Sequence, residues 1–314
     1  MTRFGFAIPA TSANLGPGFD SFGLALDLYN KFEAQRADEW VVHVEGEGKG
    51  YLLEDEGNQV ARAIAATCEK VGANLCAEVW CTNRVPTGNG LGSSSTARLG
   101  GVLLARELLV EAGHERLSDQ HVFEIACELE GHPDNVAPGF FGGFTVCWIN
   151  EKRPHYARFE PAKGLAAVVI PATGELMTDA AREMLPEDVP HVDAAFNVAH
   201  AGLLAASIVA GQPQHFSDAL KDRLHEPYRS AAISDLKDIH TVLMDAGADG
   251  VALSGSGPTV IGFVSGDDDK DAYARAVEVA SRASDSVKQF KGRREPLPLA
   301  ISRHGAKTLH EIEG

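Results

Sequence analysis

The chain has 314 residues, 44% of them hydrophobic and 23% charged, the composition of a globular protein with room for a sizeable core and about two domains or lobes. Its 44 acidic residues outnumber 28 Lys and Arg, for a formal charge of −16, which argues against nonspecific nucleic-acid binding and against attraction to an anionic membrane. An anionic nucleotide would need Mg²⁺ or a local set of arginines and backbone amides.

Residues 3–8 read as a first strand that Pro9 stops. The loop Thr11 to Asp20 follows, with Asn14 and Asp20 flanking Gly16-Pro17-Gly18, before the apolar run 22–26. Val41 to Val44 alternates as a strand. Asn58 caps a helix in which Val60, Ile64, Cys68 and Val71 recur at helical spacing. The strand-like Ala77 to Thr82 leads directly into Pro86 to Thr96, PTGNGLGSSST. Gly88, Gly90 and Gly92 permit positive φ angles there, so that successive N–H groups converge on one anion. The helix expected over Thr96–Ala112 adds its N-terminal dipole, which makes a phosphate cradle. No Lys follows the last glycine, so this is not the GxxxxGK[ST] pattern.

Ser118 caps a helix through Glu130 that Gly131 ends. Glu128, Glu130, His132, Asp134 and Asn135 then crowd one short stretch. The two glutamates lie two residues apart, hence on different helix faces, so at most one faces a site. Residues 142–148 and 165–171 read as strands, and the polar segment 150–164 marks a change of lobe, dividing the chain into units 1–155 and 156–314. Helical patterns follow over 178–185, 193–210 and 231–246, with Arg182 and Arg229 as single cations near small polar residues. Gly250 to Phe263 is a second glycine loop between two apolar runs. The basic run 288–294 reads as a solvated turn before a last strand, 297–301. Five cysteines, Cys68, Cys76, Cys81, Cys127 and Cys147, show no CxxC pairing, as expected of free thiols in a reducing compartment. With no signal-like N-terminus and no run of about 18 apolar residues, a cytoplasmic location without membrane contact is expected.

Three loops, Pro9–Leu26, Pro86–Thr96 and Ser254–Thr259, stand in the order of the three motifs of the GHMP kinases, which the chain resembles from Pro9 to its final strand. The segments PATSANLGPGFDSFGLAL, EGHPDNVAP and LSGSGPTV are most similar to the members that phosphorylate homoserine. The resemblance implies a two-lobed α+β fold, with an N-terminal ribosomal-protein-S5-like α/β domain and a C-terminal ferredoxin-like α+β domain. It places ATP across Pro86, Gly88, Asn89, Gly90, Leu91, Gly92, Ser93, Ser94 and Ser95, with adenine near Asn58. Mg²⁺ falls to Glu128 and Ser94, with Glu130 the competing choice. L-Homoserine would be gripped by Asn14, Asp20, His132, Arg182 and Arg229, with Asn135 on the reacting hydroxyl and Asp134 the one nearby candidate base. Asn135, Glu128 and Ser94 are thus the implied catalytic set. A homodimer is left open. Competing readings are a kinase for another small alcohol, such as shikimate or mevalonate, and a noncatalytic nucleotide-binding regulator on the same fold.

Overall fold

A computed structural model of the chain describes residues 2–174 and 178–309. The first half contains strands β1 (Phe4–Ala13), β2 (Phe22–Ala37), β3 (Val41–Gly46) and β4 (Cys76–Asn83), helices α1 (Gln59–Lys70), α2 (Ser93–Glu111), α3 (Asp119–Glu130) and α4 (Val136–Phe141), and the hairpin β5 (Phe144–Asn150) to β6 (Arg153–Phe159). The second half runs β7 (Leu165–Ile170), α5 (Thr178–Glu183), α6 (His191–Ala210), α7 (Phe216–Ala219), α8 (Glu226–Arg229), α9 (Leu236–Ala246), β8 (Gly250–Leu253), β9 (Val260–Ser265), α10 (Asp269–Val287), β10 (Leu297–Ala300) and β11 (Lys307–Thr308). The caps act as their residue types dictate. Asn58 Oδ1 accepts the Val60 N–H at 2.9 Å and Ser118 Oγ that of His121 at 3.2 Å, while Gly131, at φ 92°, ends α3 in the left-handed region.

The first sheet has seven strands in the order β11-β1-β2-β4-β3, with β5 on the Phe22–Leu24 end of β2 and β6 beyond it. Among the described residues only β3 and β4 run parallel. The second sheet is antiparallel, ordered β10-β7-β9-β8. Phe32, Val79, Leu103 and Phe123 pack the first sheet against α1, α2 and α3. Val168, Leu243, Val264 and Val279 pack the second against α9 and α10. Between the halves, Leu24, Leu26, Leu91 and Phe144 join Val169, Leu204, Phe216 and Phe263 in one shared core. The two lobes are therefore sealed by apolar burial, and their connecting loops meet along its edge.

Several elements depart from the sequence reading. β1 continues through Pro9, because its register against β2 shifts between Pro9 and Ala10 and the missing N–H falls at that irregularity. β6 lies inside the polar segment 150–164: it pairs with β5, and Tyr156 stacks on Phe141 with ring centroids 3.9 Å apart. The first sheet thus reaches Phe159 and the second begins at Leu165. Helix α2 starts at Ser93, three residues early, directly after Gly92. Helix α6 has a mean hydropathy of 1.5 and is long and apolar enough by composition alone to cross a membrane, which a search for unbroken apolar runs misses because His191, Asp193, Asn197 and His200 interrupt it. Here Leu204 and Ile208 turn it onto the shared core.

The basic run 288–294 is not simply a solvated turn. Arg293 is buried, forms a two-pronged ion pair with Asp235 at 2.6 and 2.8 Å, and donates to the Pro258 carbonyl at 2.5 Å. Arg294 reaches Glu47 in the first lobe at 2.6 Å.

His240 on α9 has a buried Nε2 without a hydrogen-bond partner among the described residues, and burial pushes its pKa from 6.5 down to about 4. The unfolded chain takes up the proton first, so this residue's contribution to stability is present above pH 6.5 and is lost as pH falls towards 4. Replacing it by Met should remove that slope: the difference in urea-unfolding free energy between wild type and His240→Met should change by about 2 kcal/mol between pH 6.5 and 4.5. A pH-independent difference would refute the assignment.

Candidate functional site

The glycine loop adopts the expected backbone. Gly88, Gly90 and Gly92 have φ of 62°, 76° and 68°, and Gly92 is the left-handed N-cap of α2, with no side-chain capping hydrogen bond among the described residues. The N–H groups of the first helical turn therefore open toward the loop, where they and the dipole favour an anion. Gly92 must be Gly for space as well: an added Cβ would lie 2.0 Å from Thr11 Oγ1 and 3.0 Å from Asn135 Oδ1. Leu91 is buried in the shared core while its carbonyl accepts the Thr11 N–H at 3.1 Å.

Two residues assigned to the nucleotide are committed to the scaffold. Asn89 Oδ1 accepts the Ala172 N–H at 2.8 Å, and its Nδ2 donates to the Thr87 carbonyl at 2.7 Å. Asn58 uses both ends of its amide, capping α1 and donating to the Leu53 carbonyl at 2.7 Å.

The glutamate assignment is corrected by the face that α3 presents. Glu128 points outward, its side chain 65% exposed and paired with Lys70 at 2.8 Å. Glu130 is 4% exposed and accepts from Ser94 Oγ at 2.7 Å and Ser95 Oγ at 2.6 Å, with Arg98 as its ion partner. Two residues along a helix turn the side chain by about 200°, so one glutamate must face away. Arg98, one turn below Ser94 on α2, was missed, although the i, i+4 spacing was visible.

Just beyond α3, His132 Nδ1 lies 2.5 Å from Asp134 Oδ1, and its Nε2 lies 3.8 Å from Glu130. Burial opposes protonation of His132, but the hydrogen bond and charge of Asp134, helped by Glu130, outweigh it and leave its pKa raised above 6.5. Asp134 is thus engaged by an imidazole. Asn135 Oδ1 accepts from Thr11 Oγ1 at 2.7 Å, and its Nδ2 has no partner among the described residues.

On the other side of the loop cluster, Asp20 and Arg182 form a two-pronged ion pair at 2.8 and 2.9 Å. Arg229 lies behind it, 2% exposed, with the charges of Asp20, Arg182 and Asp134 all acting on it. Phe19 lies under both guanidinium groups, 5.9 Å from Arg182 and 5.4 Å from Arg229. Asn14 ties the loops, accepting the Asp20 N–H and donating to the Gly255 carbonyl, both at 2.9 Å. Sequence reasoning missed Thr11, Phe19, Asp222, His225 and Glu226, the last of which accepts the Leu253 N–H at 2.6 Å just before the Ser254–Thr259 loop. Only Thr11 had a signal, its place in the small polar run before Gly16. Arg229 and the three groups just before it sit in or beside the four-residue α8, too short to show a period.

Among the described residues no group of three or more His, Cys, Asp or Glu could hold a metal ion. Glu130 with Ser94 and Ser95 is a hard-oxygen set with one carboxylate. That fits a cation which takes most of its ligands from water and phosphate, as Mg²⁺ does.

Comparison with known proteins agrees across both halves. The profile described as GHMP kinases N terminal domain matches residues 58–143, and that described as GHMP kinases C terminal matches residues 204–281. A homoserine kinase of Streptomyces avermitilis is 40% identical over 258 residues, 81% of this chain and 83% of its own. One from Leifsonia xyli is 37% identical over 302 residues, 95% and 90% of the two chains. The crystal structure of homoserine kinase from Cytophaga hutchinsonii superposes with a TM-score of 0.84 at 25% identity, covering 98% of each chain.

The crowding around Gly92 leads to a direct test. Gly92→Val drives two branches into Thr11 and Asn135 and strains a positive φ. ATP binding, followed by calorimetry, should fall by about a hundredfold or more, with far-ultraviolet circular dichroism unchanged. Unchanged affinity in the folded variant would remove the cradle from this loop.

Proposed function

The chain belongs to the GHMP kinases, and we propose that it transfers the γ-phosphoryl group of ATP to the side-chain hydroxyl of L-homoserine, forming O-phospho-L-homoserine for threonine biosynthesis in the cytoplasm. The acceptor class is carried by one observation: the half-buried pair Asp20–Arg182 stands against the buried cation Arg229. An α-amino acid carries one positive and one negative group on neighbouring atoms. It can enter by partner exchange, its ammonium going to Asp20 and its carboxylate to Arg182 and Arg229. A plain hydroxy acid leaves Asp20 uncompensated. The five cysteines are free, in keeping with a reducing compartment.

The phosphate groups of ATP would lie on the amides of Gly88–Ser95 at the α2 N-terminus. Ser94 and Glu130 would hold Mg²⁺, which when bound neutralises charge on the β- and γ-phosphate oxygens. Glu130 also holds Arg98 by an ion pair beside the first turn of α2, a second cation with a fixed address. Asn135 Nδ2 donates to the acceptor hydroxyl oxygen, oriented by the Thr11 bond to its other end. His132 stands between Glu130 and Asp134, its Nδ1 2.5 Å from Asp134 Oδ1, and so fixes the Asp134 carboxylate beside Asn135. Phosphoryl transfer through a loose transition state asks mainly for alignment and charge stabilisation, so these roles need no strong base.

Two experiments test the assignment. Glu130→Gln should lower kcat by about a hundredfold or more, partly restored at high Mg²⁺, whereas Glu128→Gln should leave turnover within about twofold of wild type. The opposite ranking would reverse the α3 face assignment. Arg229→Leu should raise the homoserine KM by roughly thirtyfold or more, the equivalent of about 2–5 kcal/mol, with the ATP KM nearly unchanged. Equal turnover of a hydroxy acid lacking the amino group would overturn the amino-acid reading.

A further inference from the structure

Arg229 is a buried guanidinium with no carboxylate in ion-pair contact among the described residues, and three groups settle its orientation. Its Nη1 donates to the Gly255 carbonyl and to His225 Nδ1, both at 3.1 Å, and its Nε points at the Ala181 carbonyl at 3.5 Å. Nη2 has no partner among the described residues. With both Nη1 hydrogens engaged and Nε on a carbonyl, the planar guanidinium is fixed in orientation and presents Nη2 to a ligand.

His225 is fully buried, at 0% exposure. Its Nε2 lies 2.7 Å from the Gly16 carbonyl, which can only accept, so Nε2 carries the proton. Nδ1 is then a lone pair, the one form that can receive the Arg229 N–H. Protonation at Nδ1 would set two donors face to face. The surroundings agree: burial holds the His225 pKa below 6.5, with the Arg229 charge acting in the same sense and Asp222 opposing. Asp222 has its oxygens occupied by the backbone N–H groups of Leu224, His225 and Glu226 and by Asn197 Nδ2. Phe19 stacks on the imidazole at 5.3 Å and also underlies Arg229. One ring thus links the Gly16 loop, the aromatic floor and the buried cation.

We propose that His225, as the neutral Nε2–H tautomer, is a positioning residue for the acceptor: its Nδ1 lone pair fixes the guanidinium plane and so aims the free Nη2 of Arg229 at the substrate carboxylate. This rests on the amino-acid reading above. It assigns no bond making or breaking to His225, only the direction of a guanidinium. The competing role is structural, a tie between α8 and the Gly16 loop made through Nε2 alone.

Two amide substitutions separate these roles, because each copies one half of the imidazole. His225→Asn places an acceptor at the Nδ1 position and drops the Nε2 donor, whereas His225→Gln keeps a donor for Gly16 and drops the acceptor. With ATP saturating, His225→Asn should keep the homoserine KM within about threefold of wild type, while His225→Gln should raise it by about tenfold or more with kcat and the ATP KM little changed. The reverse order, or two variants indistinguishable from each other, overturns the proposal. In an Arg229→Leu background His225→Gln should add nothing further to the homoserine KM, and an additive effect also overturns it. A measurement on the unaltered protein stands apart from variant folding: ¹⁵N spectra near neutral pH should show Nδ1 of His225 unprotonated and Nε2 protonated. Either the other tautomer or an imidazolium there refutes the assignment. Failure of the amino-acid reading itself appears separately, as no turnover of homoserine by the wild-type chain.

Discussion

The hydroxyl of Ser254, buried where the two lobes meet, is the point on which the site depends. It donates to the Gly90 carbonyl at 2.7 Å and lies 2.8 Å from Ser12 Oγ, so one side chain joins all three loops. Around it the Gly255 N–H reaches the Ala13 carbonyl at 2.9 Å, and the Thr259 N–H reaches that of Asn89 at 3.3 Å. These groups sit at the edge of the shared core, away from water, where an unpaired amide or carbonyl is costly. The loops therefore have to meet in one register. A Cβ on Gly90 would stand 2.1 Å from the Ser254 carbonyl, so the approach that seals the lobes requires glycine there.

The same junction solves an electrostatic problem. A chain of formal charge −16 that takes an anionic ligand has to place positive potential locally. Part of it comes from the amides and dipole of α2, which carry no net charge. The rest comes from arginines already neutralised in the folded chain: Arg98 by Glu130 and Arg182 by Asp20. A pair of this kind is soluble and stable by itself, and it presents both signs of charge to an incoming ligand. Arg229 is the exception. Its direct partners are two backbone carbonyls and an imidazole, so a carboxylate arriving there meets a cation that has no carboxylate in ion-pair contact among the described residues, although the charges of Asp20, Asp222 and Asp134 act on it from further away.

Backbone strain follows the same geography. Asn14, Leu15 and Asp20 all have positive φ, at 68°, 51° and 54°, a region that non-glycine residues rarely occupy. The loop is held there by the Asn14 amide, by burial of Leu15 in the shared core and by His225 on the Gly16 carbonyl. Such strain persists only where the surroundings over-determine it, and it is found at sites where a side chain must point one way.

Local chemistry in the sequence already determined much of this molecule. Asn58 and Ser118 capped their helices, Gly131 ended α3, and Gly88, Gly90 and Gly92 took positive φ, because each outcome depends on a residue and its nearest neighbours. Motif order likewise identified the family, since four separated segments had to agree. What the sequence left open was decided by packing. Whether Glu128 or Glu130 serves the site depends on which face of α3 meets α2, and a spacing of two residues is silent on that. Pro9 stayed within a strand because its missing N–H falls at the register shift between β1 and β2. Arg293 became buried because Asp235 and the Pro258 carbonyl, distant in sequence, surround it. His225 gained its position from Gly16, 209 residues away, and no pattern local to α8 encodes such a bond: only the closed tertiary structure brings its donor and acceptor together.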